Sequence, residues 1–173
     1  MPETHPARLK DAKVPEKKIF MNPEEPVTIR AYSPADKDSL LELIKLNIPH
    51  AFAAEEADEF SRYLDQDVEL YYVLRVKGDI VGCGGINFAQ DKTIGKMSWD
   101  IIHPHFQRKS LGARLWKHRL EVLRSIDSVK KITVRTSQTA FKFYERQGFV
   151  LRETKKDYWA KGFDLYYMEY DSI

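Results

Sequence analysis

The stretch from residue 96 to residue 124 limits what this chain can fold into more than any other. It opens with a strand-like run ending Trp99-Asp100-Ile101-Ile102-His103-Pro104 and continues through the basic turn Gln107-Arg108-Lys109-Ser110. Helix-forming sequence then begins at Leu111-Gly112-Ala113. A strand that turns sharply into a helix leaves the first backbone N–H groups of that helix unpartnered. It aims them, with the positive end of the helix dipole, at the turn. Such a junction holds anions, phosphate above all. Gly112 lets a phosphate approach the backbone, and Arg108 and Lys109 bring mobile positive charge. The pattern predicts a strand, a turn that grips a phosphorylated ligand, and a helix.

The rest of the composition narrows the class. A chain of 173 residues, 43% hydrophobic and 31% charged, fits one globular domain with a sizeable core. A formal charge of +2 gives no support for a general nucleic-acid or membrane binder. The single cysteine, Cys83, excludes an intramolecular disulfide and fits a reducing compartment. No apolar run approaches the ~18 residues that span a bilayer, and the N-terminus lacks a signal-peptide core, so the cytoplasm is the expected location.

Residues 1–26 are polar and carry Pro2, Pro6, Pro15, Pro23 and Pro26, which predicts a loosely ordered extension ahead of a single domain over 27–173. Within that domain the first strand is expected at Val27–Ala31. Ser33-Pro34-Ala35-Asp36 reads as a capped helix start, with Leu40, Leu41 and Ile44 as the buried stripe. A break at Asn47-Ile48-Pro49-His50 leads to a second helix, with Ala57, Phe60 and Leu64 on one face. Strands follow at Leu70–Val76, 80–88 and 96–102. The helix Leu111–Arg124 shows a stripe of Leu111, Leu115, Leu120, Val122 and Leu123. A strand over 131–135 precedes a short helix with Ser137 as cap and Gly148 at its left-handed end. Two last strands, over 149–154 and 165–170, flank a loop holding Tyr158, Trp159 and Gly162. The order β-α-α-β-β-β-α-β-α-β-β is that of an α+β sheet covered by helices.

This order and three motifs resemble the GNAT superfamily of acyl-CoA-dependent N-acetyltransferases. That family's R/Q-x-x-G-x-G/A signature stands here as Gln107-x-x-Ser110-x-Gly112, behind its V-x-P as Ile102-His103-Pro104. Its A-x-x-x-Y-x-x-x-G-F is complete as Ala140, Tyr144, Gly148 and Phe149. The tail from Asp157-Tyr158-Trp159 to Glu169 is similar to the family's closing hairpin, and the likeness covers about residues 27–171. Ser110 departs from the usual glycine, and Ser137 stands where many members carry a pantetheine-binding asparagine. The resemblance implies a GNAT fold: a mixed, mostly antiparallel sheet of about seven strands with helices on both faces.

It also implies a reaction. Acetyl-CoA is the co-substrate, with no metal. Its binding residues are Ile102, His103, Gln107, Arg108, Lys109, Ser110, Leu111, Gly112 and Ala113, with Ser137 and Tyr144 further along. The acetyl group passes to a primary amine of a small molecule or amino-acid-like acceptor by direct attack in a ternary complex. Backbone N–H groups near Asp100 to Ile102, where the sheet splays, stabilise the oxyanion. Tyr144 protonates the thiolate, or else packs as Phe141 and Phe143 do. Strict alternation puts Lys96, Ser98, Asp100 and Ile102 on one strand face and Met97, Trp99 and Ile101 on the other. Asp100 is then either a group that binds or deprotonates the amine or a structural carboxylate paired with an arginine.

Other residues carry weaker signals. His103 and His105 lack acidic or cysteine partners for a metal and read as loop residues near phosphate. His50 is a substrate contact or an exposed loop residue. Cys83, in Gly82-Cys83-Gly84-Gly85, reads as a small buried residue whose glycine neighbours mark a bulge or a close approach. The acceptor pocket is expected from 47–60, 84–88 and 157–164, with Glu55, Glu56, Glu59, Phe52, Tyr158, Trp159 and Asn87. A non-catalytic CoA-binding sensor of the same fold is the competing function. A third reading has the helix cations Arg114, Lys117, His118, Arg119 and Arg124 touching RNA, against a plain solvated face. An edge strand near the C-terminus suits a homodimer.

Overall fold

The computed structural model describes residues 26–89 and 91–170. The expected N-terminal extension therefore lies, but for Pro26, outside the described residues. The elements are β1 (Val27–Ala31), α1 (Lys37–Lys45), α2 (Glu56–Gln66), β2 (Leu70–Val76), β3 (Asp79–Phe88), β4 (Ile94–Ile102), α3 (Leu111–Arg124), β5 (Lys131–Thr136), α4 (Phe141–Arg146), β6 (Val150–Ala160) and β7 (Phe163–Tyr170). The strands form one seven-stranded sheet in the order β1-β2-β3-β4-β5-β7-β6. All neighbours are antiparallel except β4 and β5, which run parallel.

Helices cover both faces. Leu40, Leu43 and Ile44 of α1 and Phe60, Tyr63 and Leu64 of α2 pack on Tyr71, Val73, Cys83 and Ile101. On the opposite face, α3 and α4 cover Leu74, Val76, Ile86, Met97, Ile132 and Val134. Burial of both apolar faces is the main force holding the sheet between its helices. Ser33 makes the expected capping box with Asp36, accepting from Ala35 N–H at 3.3 Å while Asp36 accepts from Ser33 N–H at 2.9 Å. That box opens a 3-10 turn at Pro34–Asp36, and α1 proper starts after it.

The structure corrects four expectations. Ser137 does not cap α4: the N-cap is Ala140, and the Ser137 hydroxyl instead lies 2.7 Å from the Thr139 hydroxyl in the preceding turn. Tyr158 and Trp159 belong to β6, which continues through a register irregularity where a loop was expected. On α3, Trp116 and Arg119 are buried, whereas Leu120 and Val122 are only partly so. The fourth concerns β4 and positions the site. Strict alternation fails because the pairing register with β3 shifts between Cys83 and Gly85, and Trp99 takes a left-handed φ of 50°. This bulge inserts one residue. Met97, Asp100 and Ile102 consequently meet the α3 side, while Trp99 and Ile101 pack towards α1 and α2.

Candidate active site

Pairing between β4 and β5 runs from Ile94↔Lys131 to Met97↔Val134 and stops there. Beyond it the strands diverge, because β5 stays with β7 through Thr136 while β4 turns with β3. The opening continues into a cavity of about 1150 Å³ that runs from the start of α3 to the loop between α1 and α2. Asp100, Ile102, Gln107, Arg108, Ser110, Leu111, Gly112, Ala113, Ser137 and Tyr144 all line it. His103 and Lys109 do not. The His103 Nδ1 accepts from His105 N–H at 3.1 Å, closing the turn at Pro104–Phe106. Burial, helped by His105, holds its imidazole below the usual value. The Lys109 ammonium sits 5.2 Å from the centre of the Phe106 ring.

The turn before α3 is shaped by backbone. Arg108 and Ser110 both take left-handed conformations, φ 59° and 60°. Ser110 is the N-cap, and no side chain caps the helix. The first N–H to bond back is that of Arg114, to Ser110 O at 3.0 Å, so the N–H groups of Leu111, Gly112 and Ala113 have no intrahelical acceptor. A Cβ on Gly112 would come within 3.3 Å of the Phe143 ring. These features fit a bound pyrophosphate. Gln107 is held from behind: its Nε2 donates to Asn47 Oδ1 at 3.0 Å and Ile102 O at 3.1 Å. Asn47, a buried residue that the sequence marks as the start of a helix break, donates in turn to Leu43 O and Ile102 O.

Tyr144 is fixed by the way α4 ends. Gly148, at φ 98°, donates to Glu145 O, and Phe149 N–H donates to Tyr144 O, both at 3.0 Å. This is the Schellman arrangement, and its accompanying contact is Phe149 against Tyr144, with ring centroids 5.3 Å apart. The spacing of Tyr144, Gly148 and Phe149 thus has a mechanical cause. Tyr144 is 3% exposed, and its hydroxyl donates to Asp100 Oδ2. Burial, with the Asp100 charge, holds this phenol well above the ordinary tyrosine value. Asp100 is gripped by the Arg119 guanidinium, Nη1 on Oδ1 and Nη2 on Oδ2, the latter at 2.8 Å.

Arg119, placed by sequence among the exposed cations of α3, is 1% exposed and faces the sheet. Its position carries a signal: Leu111, Leu115, Arg119 and Leu123 form one i, i+4 row, and the other three are buried. A helix face that buries Arg119 no longer presents the cation set on which the RNA reading drew.

At the far end, Phe52 and Trp99 stack with centroids 6.3 Å apart, beside His50 and Glu56. Glu56 accepts from Ala53 N–H at 2.7 Å. Burial, with Glu59 and Glu55 adding, pushes its carboxyl up against that hydrogen bond. Trp159 also reaches the cavity, whereas Glu55, Glu59, Asn87 and Tyr158 do not. Asn87 instead accepts from the Tyr63 and Ser98 hydroxyls, both at 2.7 Å. The buried Cys83 thiol is pushed up to about 12 by burial. Among the described residues no cluster of His, Cys, Asp or Glu is placed to hold a metal ion, and no helix is long and apolar enough to cross a membrane.

A mixed sheet splayed at its one parallel pair, with a helix N-terminus at the mouth of the gap, defines the GNAT class of fold. The acetyltransferase (GNAT) domain profile matches residues 36–172, and the chain belongs to that family. No curated protein matches it. Among solved structures, an acetyltransferase of the GNAT family from Streptococcus pneumoniae is 21% identical, with a TM-score of 0.65, covering 83% of this chain and 98% of its own. The ribosomal-protein-S18-alanine N-acetyltransferase of Escherichia coli is 17% identical, with a TM-score of 0.70 and coverages of 85% and 95%. An aminoglycoside 6'-N-acetyltransferase, solved with coenzyme A, is 15% identical, with a TM-score of 0.69 and coverages of 84% and 97%. At these identities the likeness is one of fold.

Proposed function

We propose that this chain transfers the acetyl group of acetyl-CoA to a primary amine of a small molecule or amino-acid-like acceptor by direct attack within a ternary complex. The observation that carries the reading is Tyr144: a neutral, buried phenol on the cavity wall, between the anion turn and the aromatic end. The N–H groups of Leu111, Gly112 and Ala113, with Arg108, would hold the pyrophosphate. Backbone of β4 past Met97, which β5 no longer pairs, would meet the developing oxyanion, and one such donor is worth about 3–4 kcal/mol. As the C–N bond forms and the C–S bond breaks, Tyr144 supplies the proton that the sulfur takes up. The coenzyme A bound to one structural neighbour supports the choice of donor. Phe52, Trp99 and the Glu56 carboxyl at the far end of the cavity favour a cationic amine on a partly apolar body.

Thiol release from acetyl-CoA across a panel of amines, amino acids and polyamines tests this. Turnover of at least one amine is expected, and Tyr144→Phe should lower kcat by about 10²–10⁴ while CoA affinity holds. Tight CoA binding with no turnover on any amine would sink the enzyme reading and leave the sensor.

A further inference from the structure

The largest fully buried side chain among the described residues is a cation, Arg119. A packed apolar residue there would serve stability as well or better, so the fold alone does not call for a guanidinium. Its surroundings are nonetheless built to receive it. Nη1 donates to Gly85 O at 3.1 Å, and Nε to Leu115 O at 3.4 Å. Gly84 leaves the space: a Cβ there would lie 2.9 Å from Nη1 and overlap Asp100 Oδ1. The left-handed Trp99 is what turns Asp100 onto this side of the sheet. A strained residue, a glycine and a buried ion pair therefore converge on one carboxylate, Asp100: its Oδ1 takes Nη1 beside Gly84, and its Oδ2 takes both Nη2 and the Tyr144 hydroxyl.

The geometry points to Arg119 as a positioning residue that acts through Asp100 to aim the Tyr144 hydroxyl and to keep its proton transferable. This rests on the acetyl-transfer reading above. In that step the amine nitrogen bonds to the carbonyl carbon, the C–S electron pair leaves with sulfur, and sulfur takes the phenolic proton. The nitrogen then gives up one proton, which restores the phenol. While Tyr144 is deprotonated, a lone Asp100 carboxylate beside it would repel the phenolate. Arg119 offsets that charge. The charged groups facing Tyr144 are Asp100 and Arg119, and its other near neighbours, Phe143 and Phe149, carry none. Arg119 keeps its own charge because Asp100 outweighs the cost of burial.

The test is the double variant Asp100→Leu/Arg119→Met, which removes both charges and leaves no buried ion unpaired. Protein labelled with carbon-13 at tyrosine Cζ reports the Tyr144 hydroxyl directly, its resonance assigned with Tyr144→Phe. The expected result is a cooperatively folded variant in which that resonance moves. In it kcat falls about tenfold or more, with KM for acetyl-CoA within about twofold. A folded variant with an unmoved resonance overturns the inference whatever the turnover. If the double variant does not fold, Gly84→Ala crowds the same pair without removing a charge and is read in the same way. If the wild type turns over no amine, the transfer reading falls, while the resonance still decides whether the pair aims Tyr144.

Discussion

The two ends of the cavity are made of different material. The end at α3 is backbone: N–H groups of a first helical turn, two left-handed residues and a glycine, all within residues 107–113. The end at α2 is side chains brought from distant places, Phe52 and Glu56 from the N-terminal part and Trp99 from β4. A backbone site dictates its own local sequence. A side-chain site is free to change its sequence as long as the scaffold holds, which suits a shared donor and a variable acceptor.

Separate perturbation of the two ends sharpens this contrast. The largest effect is expected from Gly112→Val, whose side chain pushes into Phe143 and the space above the turn. CoA affinity, read by calorimetry, should fall about 100-fold, near 2.7 kcal/mol, with thermal stability much less affected. Retained affinity would break the backbone account of that end. Next comes Glu56→Gln, which should cost about tenfold in kcat/KM for a cationic amine while leaving CoA affinity alone. A loss on the CoA side instead would merge the two ends.

The pH profile of the same residue is a further, smaller effect. Glu56 must be ionised to hold a cation, and its carboxyl is raised by burial. Amine kcat/KM should therefore begin to fall, as pH drops, at a higher pH than an ordinary carboxylate near 4.5 would set. Stability runs the other way. The raised carboxyl favours the folded state below its unfolded value, and that increment is lost as pH rises through the folded one. Glu56→Gln should flatten both profiles, as steady-state kinetics and thermal unfolding across the acid range would show. The smallest effect is expected from Ser110→Gly. Relief of a left-handed serine and the added flexibility of glycine nearly cancel, for a net change below about 1 kcal/mol in unfolding. CoA affinity should hold or improve.

The same contrast explains what the sequence disclosed. The turn before α3 was readable because its residues are contiguous and its geometry is that of a helix start. Tyr144 was readable because the glycine and phenylalanine that end its helix sit at fixed offsets. Asp100 keeps Ile102 as its expected face-mate but is joined by Met97 rather than Lys96 and Ser98, because alternation counts residues and cannot see the one that Trp99 inserts. The run Gly82-Cys83-Gly84-Gly85 did announce that insertion, since three strand positions without side chains imply something close by. Arg119 was missed although it stands in the apolar row of α3. Its charge argued for solvent, and its partner lies on another element. The expected acceptor pocket left only scattered aromatics and acids, of which Phe52, Glu56 and Trp159 line the cavity.

The short parallel seam between β4 and β5 has a consequence for how the chain holds together. Strands β1–β4 form one antiparallel ribbon and β5–β7 another, and their backbones are stitched over four paired positions, Ile94–Met97 against Lys131–Val134. The cavity straddles the unstitched part. A molecule seated there touches both ribbons and works as a rivet, tying them where the sheet itself does not. Occupancy should therefore slow opening of the seam amides more than those of the ribbon interiors, so that the protein is tightest while it is loaded.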